Sequence, residues 1–543
     1  MAYIDPTESF EDLKSRALAG ISQSFPVKGR LQALELQKLE VDDKGLHADD
    51  IRTQHHAKMN GETWAAPIYA TLQLKNRQTG QVVDTKKVRI GELPMVTRRH
   101  SYILGGQEYQ VTNQLQLKPG VYVKHSQTGE LESKFNVPNK QSFDVSFDPE
   151  SKLFMMSRGK ANKIPVYPLM KVLGVDDAAL EQRWGKDVLQ ANQGQKDTTA
   201  LNKFFKADKR RAPKDVTEAA DYFVDTMTAS ELRPDSTERT LGKRFSSIDG
   251  DTFLRATTKM LAVQQGKEKP DDRDSLVYKD LRSIGDFAYD KLSSYQTKSS
   301  IQSKMLRQIN SAATVRDIVR NATFNKPIRD TFVSNGLVNP AAQINPVEML
   351  SASMQTSIMG PGGIQSEHGI VDEVKLINNS HFGSLDPIHT PESKHTGVTL
   401  HLPAGVRKEG RDAKVPLYNV KTGKTEHVTV GTFLDSNVAL PDQVTWNNGK
   451  PVFVGKTVKI AKGGNEISFG SPSEVQYVMR HPSQMFSMTS NLIPFMGATS
   501  GNRASYATAH LSQAISLKNR EAPLVQTATG THASGLSSFE ELL

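Results

Sequence analysis

No cysteine occurs among the 543 residues. That excludes disulfides, thiolate nucleophiles and every cysteine-ligated zinc or iron–sulfur site. No apolar run approaches the ~20 residues of a membrane-spanning helix. The start, Met1-Ala-Tyr-Ile-Asp-Pro6, has neither the basic n-region nor the apolar core of a secretory signal. Apolar residues are sparse, at 37% with a mean hydropathy of −0.48, which is low for a compact enzyme and suits an elongated subunit with much polar surface. These absences predict a soluble, intracellular protein, or one packaged from inside a cell.

What the chain has in surplus is positive charge: net +9 and a pI near 9.2. That balance suits a polyanionic partner, and equally suits a basic protein kept soluble by its charge. The length allows several domains with sizeable cores.

Along residues 1–125 a helical start at 11–18 precedes strand-like runs near 64–74, 88–97 and 102–111, with Gly105-Gly106 as a hairpin turn. Strict alternation of Phe143, Val145 and Phe147, then Asp148-Pro149-Glu150 and Leu153, predicts a β-hairpin. Polar helical material follows to about 265. It includes a basic run from Lys203 to Arg211, which reads either as a contact to DNA phosphates or as a solvated helix face. Residues 266–274 read as a charged linker, and helices resume at 284–289 and 301–307. Residues 400–470 read as β-rich, with Asn447-Asn448-Gly449 as a hairpin turn. Asp249-Gly250-Asp251 has the look of a Mg²⁺-holding pair, but a turn with a helix N-cap explains it better.

Two motifs carry the chemistry. The first, 358–364, contains Gly360-Pro361-Gly362-Gly363, expected to form a tight turn whose amides approach something large and polar. No Gly-Lys-Ser/Thr follows, so it is not a phosphate-binding Walker loop. The second, 380–392, carries Pro387 and Pro391, expected to be extended and rigid and to present His389, Glu392 and His395. Those three would need helical spacing to share a metal, and Pro391 forbids it.

In order and separation the two motifs resemble the fork region of the β subunit of multisubunit, bacterial-type RNA polymerases. Further blocks resemble the same family in its own order: 90–97 with 104–108, Gln114 with 119–122, and Pro138-Asn139 with the following hairpin and 163–174. Then come 282–286, Asn345-Pro346, and Leu492-Ile-Pro-Phe495 with Asn502-Arg503 and Gln513-Ala514. Nothing here resembles the family's second half, with its hybrid-binding lysines and flap, nor the aspartate triad borne by the other large subunit. The resemblance therefore implies the N-terminal half of a split β subunit, as giant bacteriophages encode, in preference to a truncated intact subunit.

What the resemblance implies is specific. The fold is expected to be α+β, elongated and multi-lobed: 1–125 plus 285–340 protrusion-like, 126–284 lobe-like, 341–400 fork-like, 401–490 a β-rich external region, and 491–543 the start of a hybrid-binding barrel segment completed by another chain. The function is that of a DNA-directed RNA polymerase subunit, active only within a multisubunit complex; the alternative is a non-catalytic virion or scaffold protein of polymerase-like fold. Mg²⁺ would be bound by a partner subunit, with no zinc or other metal in this chain. Partners would be a C-terminal β fragment, a β′-like subunit or its fragments, DNA template, RNA transcript, nucleoside triphosphates and a phage specificity factor, with no membrane. The setting would be the cytoplasm of a bacterial host, with packaging in the virion left open.

By the same resemblance, Arg503 lies beside the substrate triphosphate, Gln513 beside RNA, and Glu392 near the RNA 3′ end and incoming nucleotide. Gly360, Pro361, Gly362 and Gly363 lie near the fork and hybrid. The bland alternatives are a surface-helix arginine for Arg503 and a solvated loop carboxylate for Glu392. Where the family has an arginine three residues past the glycine run, this chain has Ser366. The family's rifampicin pocket corresponds to Asn339, Ala342, Ala352, Gln355 and Ser357, of which only Ser357 keeps the family's residue type.

Overall fold

The computed structural model describes residues 6–515 and 517–519, except 127–128, 138–141, 159–162, 195–196, 210, 393 and 463–465. Pro138-Asn139, Arg210 of the basic run and the small polar tail after Gly530 lie outside the described residues. The chain forms two compact units, Met1–Gln116 with Asp280–Leu543, and Leu117–Lys279. Both mix helix and strand, and among the described residues no sheet closes into a barrel.

In the larger unit, helix Pro6–Ser22 buries Phe10, Leu13, Ala17 and Ile21, a single stripe at helical spacing. The stripe packs on helix Ile284–Ser293, which contributes Ile284, Phe287, Ala288 and Leu292. The two backbones approach closely at Gly20, where an added Cβ would lie 2.8 Å from Leu292 Cβ. Beneath them runs an antiparallel sheet in the order Val27–Lys28, Gln32–Val41, Ala65–Asn76, Val82–Pro94. Its inward residues Ala66, Ile68, Ala70, Leu72 and Leu74 alternate with period two and are fully buried. Strands Tyr102–Leu104 and Gln107–Val111 turn at Gly105 and Gly106, both at positive φ (58° and 81°), as a two-residue hairpin requires. The hairpin Val444–Asn447 with Lys450–Phe453 turns likewise at Asn448 and Gly449.

The smaller unit holds a five-stranded sheet in the order Ile164–Pro165, Leu153–Ser157, Phe143–Asp148, Leu131–Asn136, Gly120–His125. The expected hairpin is there, with Phe143, Val145 and Phe147 all buried. Phe135 and Phe143 stack on Phe253 of helix Gly250–Gln264. Asp249 caps that helix, accepting from the Thr252 amide at 2.8 Å, while Asp251 is taken by Lys243 at 2.7 Å and Arg255 at 3.2 Å. The Asp-Gly-Asp triplet is thus a turn and a cap. The 266–274 segment departs from the free linker expected: Asp271 accepts from the Val123 amide at 2.9 Å and from Lys259 at 2.7 Å, which ties it to the sheet. In the basic run, Lys209 sits over Tyr222, and Arg211 lies over Phe205 and pairs with Glu218.

One buried carboxylate organises the larger unit. Asp286, fully buried, is met by Arg16 at 3.0 Å, Lys408 at 3.3 Å and Arg411 at 2.9 Å, while Asp12 shares Arg16 and Lys408. Burial alone would raise the Asp286 pKa, but Lys408 and Arg16 outweigh it and hold the carboxyl below its usual range. A folded-state pKa below the unfolded one stabilises above the unfolded value, and that stability is lost as pH falls through the folded value. Asp286→Asn should therefore destabilise the chain at neutral pH by about 3–5 kcal/mol in urea denaturation, because three cations lose their counter-charge. The deficit relative to wild type should shrink below about pH 4, where the wild-type carboxyl itself protonates.

Candidate functional site

The glycine turn leaves strand Gln355–Ser357 and closes on itself. The Gly360 amide donates to the Ile364 carbonyl at 3.1 Å and the Gly363 amide to the Gly360 carbonyl at 3.0 Å. Gly360 and Gly362 take φ of 117° and 74°. Added Cβ atoms would lie 2.7 Å from Leu337 Cδ1 at Gly360 and 2.6 Å from Gln116 Nε2 at Gly362. This corrects the expectation of amides offered to an outside group. Two of them bond within the turn, and the close approach the glycines permit is to this chain's own side chains.

Those side chains form a cradle. Gln114 Nε2 donates to the Met359 carbonyl at 3.2 Å, and Gln116 Nε2 to the Gly362 carbonyl at 2.9 Å. Arg282, buried beneath, donates to Gln114 Oε1 at 3.2 Å, Gln116 Oε1 at 2.8 Å and the Pro361 carbonyl at 3.4 Å, and pairs with Asp290. Arg282 thereby fixes which end of each glutamine faces the turn.

The second motif is less extended than expected. Asn379–His381 is a short 3₁₀ turn capped by Asn378, because the Asn side chain accepts from the Ser380 amide. Asp386, fully buried, accepts from the Ile388 amide at 2.8 Å, the Ser487 amide at 2.7 Å and Ser490 Oγ at 2.6 Å. His389 is not presented: it is buried and stacked on His401 with ring centroids 3.5 Å apart, and one ring nitrogen meets Ser487 Oγ at 3.0 Å. Burial, then His401, pushes the His389 pKa down to about 2, and burial pushes His401 down to about 4, so both rings are neutral packing groups. Glu392 is exposed and His395 partly so. Thr390 Oγ1 accepts from the Gly397 amide at 2.9 Å and donates to the Thr399 carbonyl at 3.1 Å, which fixes the loop carrying Glu392.

Arg503 and Gln513 lie on helix Gly501–Gln513, whose buried side holds Ala504 and Thr508. The helix is tied to both motifs. Ser505 Oγ donates to the Thr390 carbonyl at 3.3 Å. The Asn345 side-chain amide donates to the Leu511 and Ser512 carbonyls at 2.6 and 2.9 Å, while its oxygen accepts from the Val347 amide to cap helix Pro346–Ser353. The exposed side holds Arg503, Tyr506, His510 and Gln513 at spacings of three, four and three, one stripe running ~15 Å along the axis. Sequence reasoning missed Tyr506 and His510, although helical periodicity counted from Arg503 would have found them. It also missed Gln116 and the cradling role of Arg282, which no local pattern announces.

A groove of about 790 Å³ is lined by Asn339, Gln355, Ser357, Gly360, Pro361 and His395, among others. It gathers three of the five expected pocket positions next to the glycine turn; Ala342 and Ala352 are not among its lining residues. No group of three or more His, Asp or Glu among the described residues is arranged to hold a metal ion.

A profile described as RNA polymerase Rpb2, domain 3, matches residues 340–405, the segment that carries the glycine turn, Asp386 and Glu392. Over 533 residues the chain is 26% identical to the DNA-directed RNA polymerase subunit beta of Prochlorococcus marinus (strain NATL1A), covering 92% of this chain and 48% of that protein. The chain is similar to RNA polymerase β subunits. The subunit beta proteins of Synechococcus sp. strains CC9311 and WH7803 are each 25% identical, over 92% and 94% of this chain. The chain spans about half the length of these β subunits. Its 340–405 match joins, through Asn345 and Thr390, the helix that carries Arg503.

The cradle predicts a graded response to adding one carbon. Gly362→Ala should destabilise the chain by about 1–3 kcal/mol and speed hydrogen exchange at the Gly360 and Gly363 amides. Gly410→Ala, at φ 64° with open space around its Cβ, should incur only the backbone cost and leave those amides protected.

Proposed function

We propose that this chain is part of a DNA-directed RNA polymerase, where it holds DNA, the RNA–DNA hybrid and the incoming nucleoside triphosphate. The observation that carries the reading is the joining, within one unit, of the Rpb2-like segment to a helix whose exposed stripe begins with Arg503 and ends with Gln513. Arg503 offers a planar guanidinium suited to bidentate contact with phosphate oxygens. Gln513, ~15 Å further along the helix, offers an amide to RNA. Glu392, on the loop fixed by Thr390, faces the RNA 3′ end and the incoming nucleotide. The glycine turn, held from below by Arg282, borders the hybrid.

The described residues do not suit Mg²⁺: Asp249 and Asp251 are engaged in a cap and in ion pairs. The metal-binding aspartates are therefore assigned to a β′-like partner, which supplies the two-metal chemistry of phosphoryl transfer when assembled. This chain's residues position substrate and nucleic acid. The remainder of the β subunit, the β′-like subunit, template, transcript and a specificity factor complete the assembly.

The test is reconstitution. This chain alone should extend no primer, and assembly with the remaining subunits should give Mg²⁺-dependent, template-directed synthesis; incorporation by the isolated chain would refute the reading. In the assembled enzyme Arg503→Ala should raise the nucleotide KM and lower kcat/KM about tenfold to a hundredfold, the equivalent of a charge-assisted bond of roughly 1.5–3 kcal/mol. Binding of a primed scaffold should be unchanged. Unaltered kinetics would return Arg503 to the role of a surface charge.

A second expectation concerns rifampicin. With Asn339, Ala342, Ala352 and Gln355 in place of longer or charged groups, two or three bonds of ~1 kcal/mol each are missing, which weakens binding by about thirtyfold or more. Transcription by the assembled enzyme should persist at drug concentrations that stop a bacterial polymerase. Equal sensitivity would show that 339–357 is misaligned.

A further inference from the structure

Away from the Arg503 helix, the larger unit contains a cavity of about 430 Å³ that the polymerase reading does not use. Its size lies in the range of small-molecule sites. One wall is the N-terminal part of helix Pro6–Ser22, with Glu8 and Asp12; another is the sheet formed by Arg407–Glu409, Asp412–Asn419 and Lys424–Thr429. Strand register places Arg407, Lys414 and His427 on one face of that sheet, since Arg407 pairs with Lys414 and His427 with Pro416. Arg407 and His427 line the cavity, together with Tyr102, Val111 and Ile284 on its less polar side.

The charges around it are unequally committed. Lys408 is paired with Asp12 and Asp286, and Lys414 with Glu409. Arg407 has no ion pair among the described residues, and its Nε is buried without a hydrogen-bond partner. His427 is in the same condition: one ring nitrogen bonds the Gly405 carbonyl, and its buried Nε2 has no partner. Burial, then Arg407, lowers the His427 pKa, so the ring is neutral near pH 7 and Nε2 is a lone-pair acceptor. Buried polar atoms without partners are uncommon in native proteins, and each loses the hydrogen bonds it made with water. Here a donor and an acceptor, both unmet, belong to side chains lining one cavity.

We propose that this cavity is a binding site for a compact phosphate monoester with a small apolar or aromatic body. A phosphate oxygen accepts from Arg407 Nε, the remaining phosphate O–H donates to His427 Nε2, and the body rests against Tyr102, Val111 and Ile284. Glu8 and Asp12 on the opposite wall limit the net charge the site accepts, which favours a monoanion over a polyphosphate. The site does not depend on the polymerase reading, because none of its residues belongs to the Arg503 stripe or the glycine turn.

The test uses the full chain with phenyl phosphate as probe and phenol as the uncharged control, followed by calorimetric titration and by chemical-shift changes of the probe. Phenyl phosphate should bind saturably and phenol should not. Arg407→Gln should weaken binding about tenfold or more, the loss of a charge-assisted bond. Arg407→Lys, which keeps the charge and protects against misfolding but removes the Nε–H, should weaken it several-fold with an unchanged melting temperature. Absence of saturable phenyl phosphate binding, equal binding of phenol, or an Arg407→Lys affinity equal to wild type would each overturn the proposal.

Discussion

The buried guanidinium of Arg282 is the constraint on which the candidate site rests. It does not touch the exposed face of the glycine turn, yet it orients the two glutamines that hold the turn from below and reaches the Pro361 carbonyl itself. A Gly-Pro-Gly-Gly segment has little side-chain packing of its own and would lose much conformational entropy on ordering. Its conformation is over-determined from outside, by fixed donors aimed at its carbonyls. Arg282 sits over Phe287, on the helix that also supplies Asp290 and Asp286, so the turn's support is continuous with the core of the larger unit.

Two further buried aspartates extend that logic. Asp286 gathers three cations from separate parts of the chain, and Asp386 gathers two backbone amides and a serine hydroxyl where the second motif meets residues 487–490. Each is a multivalent acceptor that fixes several segments at one point. Buried charges of this kind are strongly destabilising to break. They also leave little freedom in where the Glu392 loop and the Arg503 helix stand relative to the glycine turn.

The sequence was legible where the physics is local. Positive φ at paired turn residues made Gly105-Gly106 and Asn448-Gly449 readable as hairpins, period-two alternation gave the 143–157 hairpin, and Asp249 was readable as a cap. It was illegible where the partner lies far along the chain. His389 looked like a presented group because nothing nearby announces His401 or Ser487; its burial is decided by their arrival. The 266–274 segment looked like a linker because its charges suggested solvent, whereas Asp271 faces Lys259 and the Val123 amide. Arg282 and Gln116 lay hidden for the same reason, since their bonds span 79 to 246 positions in sequence. Arg503 and Gln513 were placed by resemblance, and their shared exposed stripe is a property of the folded helix.

The single side chain of Asn345 ends one helix and begins another: its nitrogen holds the last carbonyls of the Arg503 helix while its oxygen holds the first turn of Pro346–Ser353. An axial slide of the Arg503 helix would pull its two carbonyls off that nitrogen together. A roll about the helix axis moves the exposed stripe sideways while carrying those carbonyls the least distance. The linkage therefore acts as a pivot rather than a rail, and the easy motion of this surface is a tilt of its Arg503 end about a fixed Leu511 end.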